Sequence, residues 1–115
     1  MHTIIKKGKN MNFSIIYPKD VEKIQKEKRT ILVDIRSRDA YKMSHWKGAV
    51  NYPEDEIMDY TKVLGKRYPL ILYCEHGGSS MQLARTLGKL GYSVGTVVGG
   101  YEAMKKVKES YFKNS

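Results

Sequence analysis

Short, almost continuously apolar runs alternate with longer amphipathic stretches along this chain. Residues 31–35 (Ile-Leu-Val-Asp-Ile) and 70–73 (Leu-Ile-Leu-Tyr) have the pattern of strands that are covered on both faces. Three weaker runs, at 12–16, 49–51 and 95–98, predict shorter strands. The sequence therefore predicts a sheet of about five short strands.

Amphipathic segments fill the intervals between these strands. Helices are predicted after Pro18, which suits a first helical turn, and over residues 38–44 and 54–64. Segment 79–90 gathers its apolar residues on one face, and Gly91 suits a left-handed helix end. A last helix carries an apolar stripe that is predicted to pack in the core: Tyr101, Met104, Val107 and Tyr111.

Strands that alternate with helices predict an α/β fold in which helices cover both faces of a central parallel sheet. Ligands of such sheets bind beyond the carboxyl ends of the strands. Several chemically useful positions lie at or just past a predicted strand end: Asp34, Arg36, Cys74 and the pair Gly99-Gly100. We expect these residues to converge on one edge of the sheet.

Length and composition indicate one small domain. The chain has 115 residues, of which 41% are hydrophobic, enough for a single core. Residues 1–11 are basic and polar and are expected to form a flexible tail, which leaves 12–115 as the folded domain. The net charge of +9 is spread along the chain without an aromatic-and-basic stripe, so we expect solvated charge and some steering of anions rather than specific nucleic-acid binding.

Cysteine and histidine usage narrows the chemistry further. Cys74 is the single cysteine, so no internal disulfide can form. The start of the chain lacks the apolar run of a secretory signal, and no stretch reaches membrane-spanning length, so a cytoplasmic protein is expected. His2, His45 and His76 are scattered, and we expect neither a metal site nor a cofactor.

Cys74 lies where a reactive thiol would be expected. It ends the apolar run 70–73 and opens the segment Cys74-Glu75-His76-Gly77-Gly78-Ser79-Ser80, which leads directly into a helix. Backbone N–H groups gathered by such a strand, glycine loop and helix start favour anions and so favour the thiolate. The competing interpretation is a buried structural cysteine, and the local context favours the reactive one.

Three segments of the chain resemble the rhodanese-like sulfurtransferases. They are Asp34-Ile35-Arg36 with Tyr41, His45-Trp46-Lys47-Gly48-Ala49-Val50-Asn51 and Pro53; the loop Cys74 to Ser80; and Val98-Gly99-Gly100-Tyr101. The match covers roughly residues 12–112 in the family's order. It resembles in particular the small single-domain bacterial thiosulfate sulfurtransferases, whose loops also carry His-Gly and end in Ser-Ser.

The resemblance implies a function for this loop. Cys74 would attack the outer sulfur of thiosulfate or a similar donor, become a persulfide, and pass that sulfur to an acceptor such as cyanide, glutathione, thioredoxin or another protein. The N–H groups of the loop would hold the sulfur. The loop residues expected to bind substrate are Glu75, His76, Gly77, Gly78, Ser79 and Ser80.

Other residues are expected to support the loop. Asp34 and Arg36 would form a polar pair beneath it, and His45 would orient neighbouring backbone. His76 either tunes the loop or is simply exposed to solvent. Either Ser79 or Ser80 could instead be only the cap of the following helix.

Three alternatives stay open. The acidic Glu75 would repel a dianion, which favours a non-catalytic binding or regulatory module. A cysteine phosphatase or arsenate reductase also uses an anion loop, but such loops end in an arginine, whereas this one ends in Ser79-Ser80. Nucleic-acid binding would depend on charge alone.

Overall fold

The computed structural model describes residues 6–7, 12–27 and 29–113. Within this part of the chain, six strands form one sheet: Lys6–Lys7 (β1), Ser14–Ile16 (β2), Ile31–Asp34 (β3), Val50–Asn51 (β4), Leu70–Tyr73 (β5) and Val94–Val97 (β6). Five helices accompany them, after a short 3-10 turn at Pro18–Asp20: Val21–Gln25 (α1), Arg38–Met43 (α2), Ile57–Leu64 (α3), Gly78–Lys89 (α4) and Gly100–Lys113 (α5).

The strands are arranged in the order β1-β2-β6-β5-β3-β4. The five strands from β2 to β4 are mutually parallel, which confirms the predicted α/β class and the parallel sheet of about five strands. The sixth strand, β1, pairs antiparallel with β2, with Lys6 opposite Ile15. It falls in the segment expected to be a flexible tail, and the other residues of 1–11 lie outside the described part of the chain.

The strand at the centre of the sheet, β5, carries the candidate nucleophile at its carboxyl end. All four of its residues are buried, as are all four of β6 beside it. On the other side of β5, the pairing of Tyr73 with Asp34 brings the ends of β5 and β3 level. Because both strands end at the same edge, the loops that follow them are neighbours.

The sheet separates two hydrophobic clusters. The first cluster includes Ile24 of α1, Met104 of α5 and Trp46. The second cluster includes Ala84 and Leu87 of α4. Among the described helices, none is long and apolar enough to cross a membrane.

The predicted apolar stripe of the last helix is only partly correct. Tyr101 and Met104 are buried, but Val107 is 37% exposed and lines a surface cavity with Pro18 and Trp46. The side chain of Tyr111 is outside the described part of the chain.

The helix predicted over residues 54–64 begins three residues later, at Ile57. The N–H of Glu54 donates to the carbonyl of Ile35, at the end of β3, and is therefore held by the neighbouring loop. Residues 54–56 form a turn instead of helix.

Candidate active site around Cys74

Cys74 is the first residue after β5, and its side chain lies at the amino end of α4. Its Sγ accepts hydrogen bonds from the backbone N–H groups of Gly77, at 3.1 Å, and Ser80, at 3.4 Å. The residue is 8% exposed and is a free cysteine. The sulfur is therefore held by main-chain donors in a residue that is almost completely buried.

Gly77 gives the loop its turn. Its φ is +104°, in the left-handed region, and it is the N-cap of α4. A Cβ here would approach the backbone nitrogen of Gly99 to 3.0 Å, so the position needs glycine for two reasons. Of the alternatives left open for the serines, the cap role is therefore wrong, because Ser79 and Ser80 lie inside the first turn of the helix.

Ser80 connects the sulfur to the sheet. Its Oγ lies 3.4 Å from Sγ, donates to the carbonyl of Gly77 at 3.3 Å, and is 2.7 Å from Oγ1 of Thr96 on β6. Both hydroxyl residues are buried. Ser79 is half-buried and does not contact the sulfur, so the structure separates two serines that the sequence treated alike.

Gly99 precedes α5 and Gly100 is its first residue, and both lie against the loop that carries Cys74. Two N–H groups in the first turn of α5 donate to the loop. That of Tyr101 donates to the carbonyl of Cys74, at 2.8 Å, and that of Glu102 to the carbonyl of Glu75, at 3.1 Å. Gly100 has a φ of +63°, and a Cβ there would lie 2.5 Å from the carbonyl oxygen of Cys74. The loop and the start of α5 therefore fit together only when this position has no side chain.

Asp34 and Arg36 form the polar pair that the sequence places beneath the loop. Asp34 is fully buried, and Arg36 donates to it through Nε, at 3.1 Å to each oxygen, and through Nη2, at 2.7 Å. The guanidinium also donates to the carbonyl of Ser44 at 2.7 Å and to Oε1 of Glu75 at 3.2 Å. Its donors are thus divided among protein acceptors.

The charge of Arg36 is fixed by these partners. Burial alone would lower the pKa of Arg36, but the hydrogen bonds and charge of Asp34, with a contribution from Glu75, raise it above its ordinary value. Burial and the neighbouring Asp34 also raise the pKa of Tyr73, which stays a neutral phenol and accepts a bond from the N–H of Trp46. The guanidinium carbon lies 4.2 Å from the ring centre of Tyr101.

His45 and Trp46 form their hydrogen bonds with groups other than the sulfur. His45 is exposed and stacks on Tyr41 with a ring separation of 3.7 Å, and its Nδ1 is 2.7 Å from the carbonyl oxygen of Tyr41. Trp46 is buried, and its Nε1 donates to Gln25. His76 is exposed on the loop, and Gly78 simply begins α4.

An outer pair of charges lies beside the loop. Lys105 and Glu102 of α5 form an ion pair of 3.0 Å. The hydrogen bond from Lys105 lowers the pKa of Glu102, and the same bond raises the pKa of Lys105. Lys105 also interacts electrostatically with Glu75, so its charge acts on both carboxylates.

Sequence reasoning missed Thr96 and the partner of Glu75. Threonine is common in strands, so the sequence gives no reason to single out Thr96. Its role in the site is visible only from its burial and its hydrogen bond with Ser80. Arg36 and Glu75 are 39 residues apart, so their contact depends on the pairing of β3 with β5.

The fold and the loop together define a class: an α/β protein with a single cysteine in a strand–loop–helix cradle of N–H donors. The family model for the rhodanese-like domain matches residues 17–107. The chain belongs to the rhodanese-like domain family.

Individual relatives agree with this assignment. The chain is 30% identical over 81 residues to thiosulfate sulfurtransferase GlpE of Coxiella burnetii, covering 70% of this chain and 76% of that protein. Among solved structures, BH2092 from Bacillus halodurans matches with a TM-score of 0.70 and 30% identity, covering 81% of this chain and 72% of that one. Reduced CoADR-RHD of Bacillus anthracis matches with a TM-score of 0.77 at 24% identity, which shows the fold alone; the match covers 86% of this chain and 18% of that longer one.

Proposed function

We propose that this protein is a sulfurtransferase that carries sulfane sulfur as a persulfide on Cys74. The observation that supports it most is the pair of backbone N–H groups, from Gly77 and Ser80, directed at Sγ. Such donors stabilise negative charge on sulfur, both in the thiolate and in the terminal sulfur of a persulfide. The names of the relatives support sulfurtransferase activity in general, and thiosulfate as donor is part of the proposal.

The first half of the reaction loads the cysteine. The Cys74 thiolate attacks the outer sulfur of thiosulfate, the S–S bond of the donor breaks, and sulfite leaves with the electron pair of that bond. The product is Cys74–S–S⁻. As the thiolate forms, the Ser80 hydroxyl can turn toward the sulfur while Thr96 keeps its bond to Ser80, which adds a third donor.

The second half unloads it. A nucleophile attacks the outer sulfur of the persulfide, and the bond to Sγ breaks and regenerates the thiolate. Because Cys74 is the single cysteine of the chain, no internal thiol can resolve the persulfide. The acceptor therefore comes from outside: cyanide in an assay, and glutathione, thioredoxin or another protein thiol in a reducing compartment such as the cytoplasm.

Turnover with a nucleophile tests this proposal. We expect the protein to convert cyanide to thiocyanate with thiosulfate or methanethiosulfonate as donor, with the parallel-line kinetics of a two-step covalent mechanism. Cys74→Ser should lose activity by a factor on the order of 10³ or more, because no other group can carry the sulfur. Thiocyanate formation that survives in Cys74→Ser would contradict the assignment of the nucleophile. No turnover with either donor would favour a non-catalytic binding module.

A further inference from the structure

The charge of the loop rim does not suit a doubly charged donor. Asp34, Arg36 and Glu75, here called the Arg36 cluster, contain one positive and two negative groups linked by hydrogen bonds. The positive group is nearly buried, since the Arg36 side chain is 8% exposed. The side chain of Glu75 is 39% exposed. The exposed charge of this cluster is therefore the Glu75 carboxylate.

Protein acceptors also occupy most of the N–H groups of Arg36, which leaves few of them for an anionic sulfur donor. Nε and Nη2 of Arg36 donate to Asp34, Nη2 donates further to the carbonyl of Ser44, and Nη1 donates to Glu75. Stacking on Tyr101 covers one face of the guanidinium. Four of its five N–H groups therefore have protein acceptors, and an oxyanion would reach only the second N–H of Nη1 unless it displaced one of them.

The backbone keeps Glu75 in this place. The carbonyl of Glu75 accepts a hydrogen bond from the N–H of Glu102. Glu75 follows Cys74 directly in the sequence and precedes the turn at Gly77. The nearby Lys105 is paired with Glu102. The positive net charge of the whole protein attracts anions generally, whereas Glu75 places a negative charge on the residue next to the nucleophile.

We propose that Glu75, held by Arg36, is a specificity-determining residue that disfavours dianionic sulfur donors and makes a persulfide, with at most one charge on its reacting end, the preferred donor. This inference rests on the proposed function of Cys74. The Cys74 thiolate attacks the outer sulfur of R–S–SH, the donor S–S bond breaks, R–S⁻ leaves, and Cys74–S–SH forms with the proton still on the outer sulfur.

The effect of Glu75 should scale with donor charge. For a charge separation on the order of 6 Å in water, removing one negative charge changes the rate for a monoanion by about threefold. For a dianion the electrostatic energy doubles, so the rate factor is squared, to about tenfold. Glu75→Gln keeps an acceptor for Nη1 of Arg36 and removes only the charge, so this substitution isolates the effect.

The test measures the rate of sulfur addition to Cys74 by intact mass in single turnover. The donors are thiosulfate, a dianion; methanethiosulfonate, a monoanion with the same reacting sulfur; and the persulfide of 2-mercaptoethanol. We expect Glu75→Gln to raise the rate about tenfold for thiosulfate and about threefold for methanethiosulfonate, and wild-type protein to react faster with the persulfide than with thiosulfate.

Glu22→Gln is the matched control, because it removes the same charge from an exposed position on α1 and should leave all three rates unchanged. The thiosulfate enhancement should shrink in high salt, where the repulsion is screened. An unchanged ratio of thiosulfate to methanethiosulfonate rates in Glu75→Gln, or a wild-type preference for thiosulfate over the persulfide, would overturn this inference while leaving the function intact. Absence of an adduct with every donor would instead overturn the proposed function.

Discussion

Gly100→Ala is expected to lower the free energy of unfolding by about 3 kcal/mol and to slow persulfide formation about 100-fold or more. Two effects add: an alanine at the φ of +63° costs about 1–2 kcal/mol, and relief of the overlap costs a similar amount. The overlap is with the carbonyl oxygens of Cys74, at 2.5 Å, and Glu75, at 2.6 Å. Relief requires the loop to move away from α5, and displacement of a reacting group by about 1 Å can cost 10²-fold in rate.

Gly65→Ala separates the two effects. Gly65 also has a positive φ, +78°, with a ψ of −167°, but an added Cβ there meets nothing within 4 Å. We expect Gly65→Ala to cost only the backbone strain of this glycine-specific conformation, about 1–3 kcal/mol, with no change in the rate of sulfur addition. Thermal unfolding and the intact-mass rate should be measured on both variants. A normal rate of sulfur addition in Gly100→Ala, or an equal loss of rate in Gly65→Ala, would show that the contact between Gly100 and the loop has no role.

Arg36→Met is expected to destabilise the protein by about 3–5 kcal/mol. The substitution leaves the fully buried carboxylate of Asp34 without its guanidinium partner, and an unpaired buried charge is strongly unfavourable. It also frees Glu75 and the carbonyl of Ser44, so persulfide formation should fall together with stability. Urea unfolding gives the free energy directly.

Arg38→Met is the control for this loss. Arg38 pairs with Glu56 on the surface, where the two side chains are 55% and 42% exposed, so its removal should cost less than about 1 kcal/mol. The double variant Asp34→Asn/Arg36→Met should regain part of the stability, because the buried charge is gone. Equal costs for Arg36→Met and Arg38→Met, without recovery in the double variant, would mean that the buried pair contributes no more than a surface one.

The sheet was the most predictable part of the fold. The run 70–73 coincides with β5, because a strand buried on both faces has no polar position to blur its ends. The edge strand β4 is shorter than predicted, since the N–H of Ala49 turns back to the carbonyl of Trp46. The pairing of Lys6–Lys7 with β2 could not be predicted, because a basic, polar segment lacks the apolar alternation that indicates a strand.

The site was predictable where one segment forms it and not where the tertiary fold assembles it. Cys74, Gly77 and the start of α4 are adjacent in the sequence, so their cradle follows from the local pattern. The contact between Arg36 and Glu75, and that between Ser80 and Thr96, join different strands and loops. Glu75 was expected to repel a dianion, and the structure adds that Arg36 pairs with both Glu75 and Asp34 and so divides one positive charge between two carboxylates.

Intact mass of the protein before and after treatment with a sulfane donor tests the central proposal most directly. The sulfur should add one atom, about 32 Da, to the wild-type chain, and peptide analysis should place it on Cys74. Dithiothreitol should remove it, and Cys74→Ser should never acquire it. An unmodified Cys74 after exposure to thiosulfate, methanethiosulfonate and a persulfide, or the same adduct in Cys74→Ser, would contradict the account.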